Sequence, residues 1–399
     1  MIGSGPAGQA GAALLARSGH DVTLFERAEA LRPVGAGLLL SLPGQSVLRT
    51  LGCTDTFEQL STPIRSLRGT NHRGKVVLDL RSDDLNAGSV GRGVHRAALA
   101  ALLDQAVAAS GAAQRLGVEI TRCMSSPQGV TLLDAVDQDC GCFDLVVAAD
   151  GARSRTRTSS GAAIVRRNRE QAWGALWFVG PAAGDMPTDQ LCQVYRGTET
   201  MIGFLPSGRL TADGLPLVSM FWSIRRRDWN GPAAFDFARW RLDAERLAPF
   251  AQEFLSQISG PEQLIYASYC DVVLRRPWTG RIVFIGDAAH AMSPQLGQGA
   301  SLGLLDAATL ARAIERHPQP ERAFVEYAAA RARHVRFYQF ASRHLTIAFQ
   351  SDWPLIGAAR DALLGPLCRL GPTRAIGMAS LLGVATGALG RISLEPADG

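Results

Sequence analysis

The feature that most constrains this chain stands at its start. There Gly3-Ser4-Gly5-Pro6-Ala7-Gly8 runs into a helix-forming stretch, Gln9 to Ser18, and Gly19 closes it. Val22-Thr23-Leu24-Phe25 follows as a short apolar run ending in Glu26-Arg27. A glycine turn, a helix and a strand in that order are the core of a βαβ unit. Gly3 allows the tight turn, Gly5 lets backbone amides approach a diphosphate, and Gly8 lets the helix pack closely on the sheet. The helix N-terminus adds roughly half a positive charge and unpaired N–H groups. An acid about 20 residues on, here Glu26, can accept hydrogen bonds from both ribose hydroxyls and repels a 2′-phosphate. The pattern predicts a dinucleotide with an unphosphorylated adenosine, FAD or NAD. Only Met1 and Ile2 precede Gly3, where a strand of about five residues is usual. The expectation is a poorly supported loop, unpaired backbone in the neighbouring strands and weak cofactor retention.

A chain of 399 residues allows two or three domains, and 47% hydrophobic residues allow a large core. The net charge of +5 is modest, Lys75 is the sole lysine, and the arginines are scattered. The run Arg225-Arg226-Arg227 reads as a solvated face, so no nucleic-acid partner is expected. Seven cysteines lack CxxC spacing, which argues against a zinc site and for free thiols in a reducing compartment. The glycine-rich start lacks a charged leader, so a cytoplasmic location is expected. Ala375 to Leu389 is apolar but short of a membrane span. It reads as one or two packed helices, with a membrane-surface contact as the alternative.

Along the chain, residues 43–60 and Val94 to Ala109 read as helices and Val76 to Leu80 as a hairpin strand. Val118 to Arg122 and Val130 to Val136 read as strands, and Phe143 to Ala149 as a buried one. From about 165 to 275 short alternating segments predict an antiparallel sheet: Trp173 to Val179, Gln190 to Tyr195, Thr200 to Pro206 and Leu217 to Ile224. Phe235 to Ser259 has helical character, Arg281 to Ile285 is a buried strand, Ser301 to Arg316 a helix, and the chain from 321 is mainly helical.

Two further motifs carry chemistry. An apolar strand ends in Asp150-Gly151, with Arg153, Ser154 and Arg157 at fixed offsets. Another ends in Gly286-Asp287, followed by His290, Pro294 and Gly297-Gln298-Gly299-Ala300. With the first loop, and with Val34-Gly35-Ala36-Gly37 and Val94-His95-Arg96, they resemble the single-component (class A) FAD-dependent aromatic hydroxylases of the salicylate and p-hydroxybenzoate hydroxylase type. The resemblance covers residues 1 to about 330, strongly at the motifs and weakly in the sheet region.

That resemblance implies an α/β fold. A Rossmann-like FAD/NAD(P)-binding domain of the glutathione-reductase type would comprise 1–65, 91–164 and 276–330. An inserted antiparallel-sheet substrate domain would comprise 66–90 and 165–275, with C-terminal helices over 331–399. It implies that Gly3, Ser4, Gly5, Pro6, Ala7 and Gly8 hold the FAD diphosphate and that Glu26, with Arg27 beside it, holds the ribose. Arg96 would reach the FAD and Asp287, after Gly286, the ribityl chain. Asp150-Gly151 would serve both FAD and NAD(P)H. The loop from Pro294 through Gly297, Gln298, Gly299 and Ala300 would lie against the flavin ring, where aligned amides favour its anionic reduced form. Arg157 either joins that binding or pairs with a carboxylate to hold the loop. His290 reads as a packing or hydrogen-bonding residue before an acid or base.

In the family, NADH or NADPH reduces the flavin, O₂ adds to give a C4a-hydroperoxyflavin, and oxygen passes to an electron-rich substrate. The implied function is hydroxylation or epoxidation of an aromatic or apolar small molecule. A reductase or dehydrogenase on the same scaffold is the alternative, because fold does not fix chemistry. A halogenase reading would require a catalytic lysine, and Lys75 sits in a turn. Tyr195, Phe204, Phe221 and Trp222 are candidates for the pocket wall, about half of them core by alternation. No general base is identifiable. The C-terminal region either covers the pocket or forms a homodimer contact.

Overall fold

The computed structural model describes residues 1–31, 35–82, 89–368 and 370–393; Val34 of the second glycine segment lies outside them. The first helix spans Pro6–Arg17, with Gly5 at its N-cap and Pro6 at its first position, where proline's missing N–H costs nothing. It buries Gly8 through Leu15 against the helices Arg96–Ser110 and Gly299–Arg316. Under this helix lies a parallel sheet. Ala113–Arg115 pairs with Thr23–Phe25, and Val146–Ala148 pairs with Ile282–Phe284. Ile2 bridges the two halves, parallel to Phe25 on one side and Ala148 on the other.

The stub is therefore paired on both sides. Ile2 N–H donates to Val147 O at 2.9 Å, Gly3 N–H to Phe25 O at 2.8 Å, and Ala149 N–H to Ile2 O at 2.8 Å. The expected unpaired backbone is not found beside Met1 to Gly3, and the glycine turn leaves from a hydrogen-bonded ladder.

The second layer is a seven-stranded sheet in the order 265–274, 165–181, 217–225, 200–206, 190–196, 66–71, 76–81. All pairings are antiparallel except Gln190–Arg196 with Ser66–Asn71, which is parallel because the 66–81 hairpin joins from an earlier part of the chain. Alternation divides this sheet into two faces. One carries Leu176, Phe178, Ile202, Phe204, Met220 and Trp222, sealed by Trp240, Ala244, Phe254 and Leu255 of the segment 237–255. The other carries Leu191, Tyr195, Met201, Leu205 and Phe221 and looks toward the first layer and the C-terminal helices.

Several expected elements shift. Residues 43–60 form two helices, Leu42–Thr50 and Thr54–Leu60, because Gly52 at φ 72° breaks the run. Val94 and His95 end the strand Gly91–His95, and the helix begins at Arg96 with the His95 ring accepting the Ala97 N–H at 3.2 Å. Val118 follows a turn at Gly117, so the expected strand from 118 starts only at Arg122 and runs to Ser125. Val130–Leu133 is shorter than expected, and Phe143 belongs to its hairpin partner Asp139–Phe143 while Val146–Ala148 joins the parallel sheet. The segment Phe235 to Ser259 is helical in pieces, the longest Phe237–Leu247.

The C-terminal region forms the helices Pro320–Phe349, Pro354–Cys368 and Gly371–Leu381. Met378, Leu381 and Leu382 are buried against the sheet, which is the packed reading of the apolar tail. Among the described residues no helix is long and apolar enough to cross a membrane.

Candidate active site

At the glycine turn the backbone itself forms a cradle. Gly3 has φ 96°, and a Cβ there would stand 2.6 Å from Ala149 O; a Cβ at Gly8 would stand 1.9 Å from Gly3 O. No side chain caps the helix, so its first N–H groups stay open, and the Ser4 hydroxyl is buried without a partner. Glu26 closes the far end, accepting Ser4 N–H at 2.8 Å and Ala28 N–H at 3.0 Å. Each carboxylate oxygen retains lone pairs for a diol. The Arg27 side chain is 76% exposed and 3.9 Å from Glu119. Pro6 and Ala7 complete the turn, with Ala7 packed on Gly286 and Gly303.

Arg157 joins the other two motifs. Its guanidinium is buried and donates to Ala288 O and Ala152 O, both at 2.7 Å. It binds carbonyls where a carboxylate partner was one expectation, and so clamps the turn after Asp150-Gly151 to the short helix Asp287–His290. Asp150 accepts Thr156 N–H at 3.0 Å and keeps its other oxygen buried and unpartnered. Asp287 is exposed, its carboxylate has no hydrogen-bond partner among the described residues, and it reaches Gly299.

Beneath Asp287 runs a buried chain that sequence reasoning missed. Asp306 accepts Gly286 N–H at 2.9 Å, is 2.5 Å from the His290 ring, and accepts Arg331 at 2.7 Å. Arg331 donates to His334 Nδ1 at 2.8 Å, and His334 Nε2–H donates to Gly383 O at 2.8 Å. Neighbouring His290 and Arg331 hold the Asp306 carboxyl far below the usual carboxylate range against the opposing effect of burial. Burial, with Arg331 beside it, lowers the His334 ring to about 4. His290 is thus a buried hydrogen-bonding residue. A lone acid at position 306, in the apolar stripe of a helix, was the available signal.

Pro294–Leu296 forms a single turn ending at Gly297, φ 66°, before the uncapped helix Gly299–Arg316. The amides of Gly299 and Ala300 therefore face the loop. Gln298 turns inward: it accepts the Ser41 hydroxyl at 2.7 Å and donates to Leu381 O at 2.8 Å. Its side chain locks the loop to the C-terminal segment. Leu42 N–H to Leu382 O and Tyr338 hydroxyl to Ser380 O fix the same segment. Gly383, φ 81°, passes so close that a Cβ would stand 2.2 Å from the Ser41 hydroxyl. Arg96 is exposed, lies against Gly35, and has no ion pair among the described residues. Open amides, an unpaired cation and carboxylates with acceptor capacity to spare fit a dinucleotide whose diphosphate needs donors and whose hydroxyls need acceptors.

Of the pocket-wall candidates, Phe204 and Trp222 lie on the sealed face of the sheet, while Tyr195 and Phe221 lie on the open one. Trp177 lies tilted against Phe221 with 5.2 Å between centroids, and it was not among the pocket-wall candidates. Leu39 touches Gly297 and packs with Leu191 and Leu205, which ties this face to the loop.

Comparison with known proteins agrees with this geometry. The family model described as the FAD binding domain matches residues 1–336. The chain is 30% identical over 335 residues to 2-heptyl-3-hydroxy-4(1H)-quinolone synthase of Pseudomonas aeruginosa, covering 78% of each chain. It is 28% identical over 368 residues to 6-hydroxynicotinate 3-monooxygenase of Bordetella bronchiseptica, covering 88% of this chain and 93% of that one. The fold matches Klebsiella pneumoniae HpxO, crystallised with FAD and uric acid, at a TM-score of 0.78 and 22% identity over 95% of this chain and 96% of that one. The protein uses FAD and is an oxidoreductase; the chain belongs to the FAD-binding-domain family of class A, FAD-dependent aromatic hydroxylases.

Proposed function

We propose that this monooxygenase hydroxylates an aromatic small molecule held between the open face of the seven-stranded sheet and the loop 294–300. The observation that carries this reading is the juxtaposition, through Leu39, of that loop with the aromatic pair Trp177–Phe221. Of the relatives named above, one is by name the synthase of a hydroxyquinolone and the other a monooxygenase of a hydroxynicotinate. Gly3 to Gly8 would hold the diphosphate, Glu26 the ribose and Asp287 the ribityl chain. Arg96 and Asp150-Gly151 would lie along the cofactor, with Pro294, Gly297, Gly299 and Ala300 at the ring. Arg27, exposed beside Glu119, is the weakest of these assignments.

Bound FAD supplies transfer of one oxygen atom from O₂, using electrons from NADH or NADPH. The chain's own contribution is positional. The uncapped helix at Gly299 places its positive end at the loop, where it stabilises developing negative charge. The buried Asp306 fixes the Gly286 amide, and with it the direction of Asp287. The sheet face excludes water and orients the ring.

The domain division is proposed as residues 1–65, 91–164 and 276–330 around the cofactor, 66–90 and 165–275 around the substrate, and 331–399 as a helical cover. Seven unpaired cysteines support a cytoplasmic setting. A homodimer is the proposed assembly, which size-exclusion with light scattering would test. The deciding experiment for function has two parts. Purified protein should release FAD and not FMN on denaturation. NAD(P)H oxidation should rise with an arene and yield a product heavier by one oxygen atom. Substrate reduction without O₂ uptake would overturn the hydroxylase reading.

A further inference from the structure

On the open face of the sheet one polar side chain stands among rings. Gln193 occupies the middle of the strand Gln190–Arg196, on the same side as Leu191 and Tyr195. Its neighbours across both adjacent strands are glycines, Gly203 on one side and Gly69 on the other. Neither space is empty. A Cβ at Gly203 would stand 2.1 Å from the Phe221 ring, and a Cβ at Gly69 2.7 Å from the Tyr195 ring. The two glycines let two aromatic rings lie flat beside the Gln193 amide. The Tyr195 hydroxyl donates to Gln193 Oε1 at 2.5 Å, which fixes the amide with its NH₂ outward. That NH₂ has no hydrogen-bond partner among the described residues, and Gln193, Phe221 and Trp177 are all half-buried.

The arginines nearest these rings are already committed. Arg360 stacks on Tyr195 and Phe349, but its donors go to Asp361, Ala348 O and Gly197 O. Arg225 lies over Trp173 at the strand end and pairs with Glu199 and Asp352. Arg167 and Arg343 pair with Asp271 in a cleft of about 470 Å³ that Trp173 and Ser293 also line. A carboxylate brought to Gln193 would lose its hydration while these arginines stay engaged with partners of their own, an unfavourable exchange. A carbonyl or hydroxyl oxygen needs only a donor, and the amide offers two hydrogens.

We infer that the substrate is an uncharged arene bearing a carbonyl or hydroxyl oxygen, that Gln193 donates to that oxygen, and that Phe221 and Trp177 flank its ring. This rests on the hydroxylase reading above and narrows it from aromatic compounds to neutral ones.

The test is a panel of one- and two-ring arenes, among them naphthol and chromone, against the same rings bearing a carboxylate. It uses the FAD-loaded enzyme and reads quenching of tryptophan fluorescence, NAD(P)H oxidation and product mass. Neutral members should bind at least about tenfold more tightly than their carboxylates. Gln193→Glu keeps the acceptor for Tyr195 and the side-chain volume but removes the donors. It should weaken neutral ligands by about tenfold with FAD content and melting temperature unchanged. Gln193→Leu should match it in binding, and Gln193→Arg should shift preference toward the carboxylates. Equal or tighter binding of carboxylates by the parent enzyme, binding of neither class, or an unaltered Gln193→Glu overturns the inference. Oxygenation of carboxylates alone keeps the hydroxylase reading and sinks this one; neutral binding without oxygenated product keeps this one and sinks the other.

Discussion

The two faces of the seven-stranded sheet are built from the same strands, residue by residue in alternation, yet they do opposite things. The sealed face is packed ring on ring: Phe254 meets Phe178 at 5.6 Å and Phe204 at 5.9 Å, and all three are buried. The open face replaces side chains with glycine at 69 and 203 and leaves Phe221 and Gln193 half-exposed. The same division recurs in the cofactor layer. Asp306 is wholly enclosed and paired, whereas Asp287, one residue from the amide Asp306 holds, is open. Sealed groups set stability, and open groups set what binds. The contrast shows that a strand can be committed to folding and to recognition at once because its two sides need not share a residue.

The largest break in that contrast should come from Phe254→Ala. Removing a fully buried ring costs about 3–5 kcal/mol, read as a lower denaturation midpoint, while KM for substrate stays put. A rise in KM comparable to that of an open-face variant would erase the distinction.

Next is the buried chain. In the folded chain the His334 ring is lowered to about 4 from the usual 6.5. Between those values the unfolded chain binds more protons, so stability is full above about pH 6.5 and declines as pH falls toward 4. The loss amounts to about 3 kcal/mol. His334→Gln should flatten the melting temperature across that window; an unchanged slope would assign the acid sensitivity elsewhere.

Asp287→Ala should weaken FAD by roughly tenfold to hundredfold, as for loss of a charge-assisted hydrogen bond. Asp150→Ala, whose carboxylate also serves the Thr156 amide, should weaken FAD less. Equal dissociation constants would count against the open-carboxylate assignment. Smallest in stability is Phe221→Ala, at about 1 kcal/mol, because the ring is only half-buried. Its effect should show in KM, and a KM equal to the parent's would remove Phe221 from the pocket wall.

Legibility in the sequence followed the same line. The glycine turn, Glu26 and Gly286-Asp287 were readable because backbone geometry there dictates residue type over a short span. The strands of the sheet were readable from alternation. Gln193 was not, since its meaning comes from Gly69 and Gly203, and Gly69 lies on a strand far earlier in the chain. The parallel joining of 66–71 to 190–196 carries no local signal at all. Val94 and His95 were misread as helix because the alanine-rich run after Arg96 extends the helical pattern backward past a side-chain cap that only the fold reveals.

The segment from Ser380 to Gly383 is tethered to the chain's first half, to the loop 294–300 and to the helix Pro320–Phe349 through Leu42, Gln298, Tyr338 and His334. The match to the family model, by contrast, ends at residue 336. For anyone recombining such enzymes, that boundary is the wrong place to cut. A chimera joined at 336 would inherit Gln298 and Ser41 from one parent and the helix end and turn they pack against from another. The exchangeable unit is the chain through Ala385, or the tail together with positions 41, 298, 334 and 338.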